Sequence, residues 1–167
     1  MSAYTAYVQR QQVRAQVWPY VELGESDSLP NDVVGAESHG GLLVAINKGT
    51  GPAIVQSVVV RVDQKPQRDW RHAFAALGFS ASEPYGMSSL NHSVLSPGER
   101  LDFLTIVGKK EWSNFKSKLG SDIVVRACYC STLGECWTSA VGFYTKRRWG
   151  QSVDSCSIIS ESEQFED

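Results

Sequence analysis

Between two apolar, β-like runs lies Asn47-Lys48-Gly49-Thr50-Gly51-Pro52-Ala53-Ile54, and no other segment constrains the fold as strongly. Glycine admits φ > 0, while proline fixes φ and removes a donor from the incoming strand, so this spacing lets a chain reverse. With Asn47, Gly49, Gly51 and Pro52 as its turn residues, the segment predicts antiparallel strands around a sandwich-like core. It carries no nucleophile, base or metal ligand.

The rest of the chain adds strands with turns between them. Val17–Leu23 alternates, and Pro19 confines it to an edge or a strand start. Gly24–Gly41 is rich in Ser, Asp, Gly and Pro and reads as a long surface loop. Leu42–Asn47 and Ile54–Asp63 flank the turn. In the second of these, Val58, Val60 and Val62 share one face, and Ser57, Val59, Arg61 and Asp63 share the other. Ser93–Leu95 and Arg100–Val107 read as a hairpin around Ser96-Pro97-Gly98-Glu99. Asp122–Cys130 and Cys136–Thr145 read as the last hairpin. Two segments switch to helical period: Gln67–Leu77, with Trp70, Phe74 and Leu77 aligned, and Glu111–Leu119, with Trp112, Phe115 and Leu119 aligned. The prediction is an all-β domain over 17–148, an immunoglobulin-like antiparallel sandwich with two short helices in its connections.

A chain of 167 residues is long enough for one such core. At 20% charged residues and a net charge of −2, it has no general drive toward nucleic acid. The charge is nevertheless uneven. Lys146-Arg147-Arg148 precedes a stretch, Gly150–Asp167, that holds Asp154, Glu161, Glu163, Glu166 and Asp167 and no cation. Residues 149–167 are therefore expected to form a flexible, acidic polar tail. Arg147, Arg148 and Trp149 form a candidate contact for a partner or a lipid head group. The plainer alternative is a strand-end tryptophan covering the sandwich edge.

The N-terminus has two readings. Met1–Gln16 contains no apolar signal-peptide core, and no window of the chain is apolar enough to span a bilayer. Its small and aromatic residues give way to Gln and Arg, as at the interfacial end of a membrane helix. Residues 1–16 are either an ordinary amphipathic helix or the membrane-proximal stub that follows a span.

Several of these segments together resemble a known group. They are Arg14-Ala15-Gln16-Val17-Trp18-Pro19-Tyr20-Val21, Asn47-x-Gly49-x-Gly51-Pro52-Ala53-Ile54, the Asp69-Trp70 helix, Leu95-Ser96-Pro97-Gly98-Glu99 and Tyr129-Cys130-Ser131. The pattern is similar to that of uncharacterised bacterial membrane-anchored proteins, which carry an N-terminal transmembrane helix and a small β domain. The resemblance covers roughly residues 10–145 and rests on turn chemistry. It implies attachment to the bacterial inner membrane through a missing N-terminal helix, and it carries no catalytic residues. Arg10 and Arg14, just after such a span, favour a cytoplasmic over a periplasmic domain.

The cysteines bear on the same question. Cys128 and Cys130 leave one face of their strand, and a five-residue loop brings Cys136 opposite Cys130. The other face (Ile123, Val125, Ala127, Tyr129, Trp137, Val141, Phe143) is the better core, which puts the thiols on the outer face or under a loop. Three accounts stay open. One is a Cys130–Cys136 disulfide, which suits an oxidising compartment. The second is a zinc site completed by Cys156, His39, His72 or His92, and the third is a set of reduced thiols packed as small hydrophobes.

Catalytic patterns are absent: there is no nucleophile elbow, zinc-protease helix, Walker loop or dinucleotide fingerprint. The Gly49-Thr50-Gly51 triplet lacks the Lys-Ser/Thr ending and the following helix that a phosphate loop requires. His72 reads as a solvated helix residue. His92 could pair with Asp102, and His39 lies in a Ser-His-Gly-Gly loop. Most of Trp18, Trp70, Trp112, Trp137 and Trp149 are expected in the core. The chain thus reads as a non-enzymatic module without a required cofactor, tethered to a membrane and binding a protein. The alternative is a metal- or redox-responsive domain built on Cys128, Cys130 and Cys136.

Overall fold

The computed structural model describes residues 3–29, 39–79, 85–142, 150–156 and 163–166. After helix α1 (Ala3–Gln16) come β1 (Val21–Ser26), β2 (Gly40–Asn47), β3 (Ala53–Val62), β4 (Lys65–Gln67), α2 (Trp70–Ala76) and β5 (Tyr85–Met87). They are followed by β6 (Val94–Leu95), β7 (Arg100–Val107), α3 (Lys109–Lys118), β8 (Ile123–Cys130), β9 (Cys136–Val141) and β10 (Gln151–Val153). The strands form two antiparallel sheets. One runs β1-β2-β7-β5; the other runs β10-β9-β8-β3-β4, with β6 also on β3.

Both sheets feed one core. Val21, Leu43, Ala45, Phe103 and Ile106 come from the first; Val55, Val58, Val60, Ile123, Val125, Ala127 and Tyr129 come from the second. These positions alternate along their strands, as a half-buried sheet requires. The face of β8 expected in the core is therefore the observed one, and Val58, Val60 and Val62, which share a face of β3, line the same core; Trp137 packs partly buried against it, and Phe143 lies outside the described residues. Helices α2 and α3 add an aromatic layer, with Trp70 stacked on Phe103 at 6.5 Å and Phe74 5.9 Å from Phe115. Asp69 caps α2 by accepting from the backbone N–H of His72 at 2.8 Å. Gly41 admits α3 to the core, because a Cβ there would stand 2.1 Å from the Trp112 indole.

The turn Asn47–Pro52 does not close a hairpin. Its flanking strands β2 and β3 belong to different sheets. The Ser96–Glu99 turn likewise sends β6 and β7 to different sheets, which corrects the second expected hairpin. The glycines also serve another purpose than the one expected. Neither Gly49 nor Gly51 has a positive φ. Instead, the backbone of Val17–Tyr20 crosses directly over them: a Cβ on Gly49 would meet the Trp18 carbonyl oxygen at 2.4 Å, and one on Gly51 the Val17 carbonyl carbon at 2.3 Å. The Val17–Leu23 strand shifts accordingly to Val21–Ser26, with the preceding residues spent on this crossing.

The tail departs most from expectation. Gln151–Val153 pairs with β9, Cys156 is disulfide-bonded, and Phe165 is buried against Trp70 at 5.1 Å. The Phe165 N–H donates to the Val58 carbonyl at 2.9 Å. A mostly acidic segment is thus tied down by its few apolar residues. Trp18 is a smaller correction: Trp70 and Trp112 are buried, but Trp18 is half exposed.

Candidate functional site

The cysteine cluster lies on the outer face of the second sheet. Ser131 N–H donates to the Glu135 carbonyl at 2.8 Å, which leaves Cys130 and Cys136 as the adjacent non-hydrogen-bonded pair, where opposed side chains come closest. They are register partners, with Cα atoms 4.0 Å apart, and they form a disulfide. Ser131 Oγ holds the tight turn between them, accepting from the N–H groups of Leu133 and Glu135. Glu135 is ion-paired with Arg14 of α1.

Cys128, two residues back on the same face, is bonded to Cys156, so β10 and the segment after it fold over the cluster. All four cysteines are buried, and Val153 packs against them. The two disulfides touch: Cys130 Sγ lies 3.6 Å from Cys156 Sγ, and the sulfurs of Cys130, Cys136 and Cys156 all lie within 4.8 Å of one another.

The sequence brings Cys128, Cys130 and Cys136 together correctly and underrates Cys156, which it offers only as an optional ligand. The even cysteine count was the available signal. Its partner could not be read, because that pairing depends on where the tail returns. Among the described residues the histidines stand apart from this group. His72 Nδ1 is 2.7 Å from Asp69 Oδ1. Asp102, the partner considered for His92, is paired with Arg100 at 2.8 Å. His39 gives its backbone carbonyl to the N–H of Gly108. Arg147, Arg148 and Trp149 lie outside the described residues.

Along the same outer face runs a groove of about 460 Å³, lined by Val59, Arg61, Val124 and Arg126 with Ser121 and Asp122 at its edge. Arg61 is ion-paired with Glu163 of the tail at 3.1 Å. Opposite, on the first sheet, Asp27 accepts from Trp112 Nε1 and Lys116 Nζ, both at 2.7 Å. The Lys116 and Trp112 hydrogen bonds hold its carboxyl below the usual range. This contact fixes the end of β1 against α3.

These features define a class: a two-sheet antiparallel β domain whose outer face is closed by a pair of adjoining disulfides. Against known proteins, the chain matches no family model, no curated protein and no solved structure.

Proposed function

We propose that this chain is a non-enzymatic interaction module, an immunoglobulin-like sandwich held at the bacterial inner membrane that binds a protein partner. The observation that carries the reading is α1. None of its side chains from Tyr4 to Gln16 is buried, with Tyr4 at 77% and Tyr7 at 62% exposure. A 14-residue helix without a packed face gains little stability from the domain beneath it. Exposed tyrosines followed by Arg10 and Arg14 follow the order of an interfacial aromatic belt and its cytoplasmic cations. No helix among the described residues is long and apolar enough to cross a membrane, so in this reading α1 continues from the anchor. The groove between Arg61 and Arg126 is the surface offered to a partner.

The test is fractionation of cells carrying the native gene with a C-terminal tag. The product should sediment with inner membranes, resist salt and alkali, and yield to detergent. Recovery in the soluble fraction overturns the tether. Turnover on a broad hydrolase or transferase panel, lost in Arg126→Ala, overturns the non-enzymatic part.

A second reading is favoured by one observation, the contact between the two disulfides. Disulfides persist in oxidising compartments, whereas Arg10 and Arg14 favour the cytoplasmic side. A redox-responsive cluster reconciles the two: bridged under oxidation, open in the reducing cytoplasm. Mass spectrometry of alkylated protein from freshly lysed cells, with and without oxidant, tests it. Four thiols that never pair under oxidant would remove this reading.

A further inference from the structure

We infer that Cys128, Cys130, Cys136 and Cys156, once reduced, form a four-thiolate site for a single zinc ion. The inference rests on the redox reading and goes beyond it by assigning the reduced cluster a ligand.

A tetrahedral zinc with four sulfurs at about 2.3 Å requires sulfur–sulfur separations of about 3.8 Å. The Cys130–Cys156 separation is already 3.6 Å, and the Cys130, Cys136 and Cys156 sulfurs fall within 4.8 Å of one another. On reduction the bonded pairs part, and Cys128, which stands outside that group of three, must close on it; side-chain rotation about Cα–Cβ supplies these movements while the strands stay in register. Three of the ligands stand on the rigid β8–β9 pair, and the fourth closes over them from the segment after β10. The sulfurs are buried beside Val153, so the site is closed to water, as structural zinc sites are. Arg126, on the same face of β8, adds positive charge next to a complex that carries two negative ones.

The exchange balances. Two molecules of a dithiol reductant each give two electrons and two protons to one protein disulfide, becoming disulfides themselves and leaving four protein thiols. Zinc then replaces the four thiol protons. In both states the segment around Cys156 stays fastened to β8, first by a covalent bond and then by the metal.

The experiment uses the full chain, reduced without oxygen by a phosphine, freed of reductant and titrated with zinc and with cobalt(II). One metal per chain is expected, together with the strong visible bands of tetrahedral tetrathiolate cobalt and protection of all four thiols from alkylation by zinc. Cys156→Ser should keep the β8–β9 ligands, weaken zinc by at least about tenfold, and shift the cobalt bands to those of a three-thiolate site. Less than half an equivalent of zinc on the reduced chain overturns the inference, as does a Cys156→Ser titration indistinguishable from that of the parent. Near-native circular dichroism of the reduced, metal-free chain separates lost ligands from lost fold. Re-formation of both disulfides on air oxidation, followed by mass, scores the redox reading independently of the metal.

Discussion

Asn47 is fully buried at the point where both sheets meet, and every polar atom of it is used. Nδ2 donates to the carbonyls of Gly51 (2.8 Å) and Leu95 (2.9 Å), while Oδ1 accepts from the N–H groups of Tyr20 (3.2 Å) and Gly49 (3.0 Å). Its backbone binds Glu99 and Gly98. One side chain thus satisfies groups from the approaches to β1 and β3 and from the end of β6. Asn47→Ala strands two donors and two acceptors, and should cost about 3 kcal/mol or more in urea unfolding. Gly51→Ala should cost more than about 2 kcal/mol by the same measurement, because backbone rather than a movable side chain blocks its Cβ. Asp69 adds a pH dependence. Burial works to raise its pKa, but hydrogen bonds from the backbone and ring of His72 outweigh this and hold it lowered from 3.8. Its contribution is therefore full above pH 3.8 and disappears as pH falls through the depressed value. Asp69→Ala should lose about 1 kcal/mol at neutral pH, and the gap to the parent should close in acid.

At the scale of elements, the C-terminal segment is held by β10, by Cys156 and by Phe165. The Cys128–Cys156 bridge spans 28 residues and Cys130–Cys136 spans 6. Loop-closure entropy then assigns about 3.5 kcal/mol to the first and about 2 kcal/mol to the second. Under oxidising conditions, Cys128→Ser/Cys156→Ser should lower the unfolding midpoint more than Cys130→Ser/Cys136→Ser. Phe165→Ala should cost about 3–4 kcal/mol although it lies two residues from the end of the chain, because its ring is buried against Trp70. An unchanged thermal midpoint in this variant would show that the tail is not docked in solution.

Across the whole molecule, the sheets are joined by polar contacts as well as by the core. The Leu23 N–H donates to Ser139 Oγ at 3.4 Å, and Tyr129 hydrogen-bonds the backbone of Val21. Burial is the main cause that pushes the Tyr129 phenol up to about 12 from 10.0, while the Val21 bond opposes it. Stability from this group is complete below pH 10 and declines as pH rises through 12, where the unfolded chain ionises first. Alkaline titration of the folded protein should show a tyrosine absorbing only near pH 12, and Tyr129→Phe should remove that step.

Much of this is legible in the sequence. Alternation separates the two faces of β3 and identifies the core face of β8, helical spacing finds α2 and α3, and a five-residue loop sets Cys130 opposite Cys136. These are properties of neighbours along the chain, governed by backbone geometry within a few residues. The sheet to which each strand belongs was not legible, because the same Gly-Pro chemistry can close a hairpin or carry the chain across the core. The need for glycine at 49 and 51 arises from a segment thirty residues earlier crossing above them. Nor could acidic composition reveal that Cys156 and Phe165 would anchor the tail, since each is decided by a partner distant in sequence. Local pattern therefore determined strands, helices and faces; only tertiary packing, which brings remote atoms within contact, decided how the sheets connect and how the four sulfurs come together.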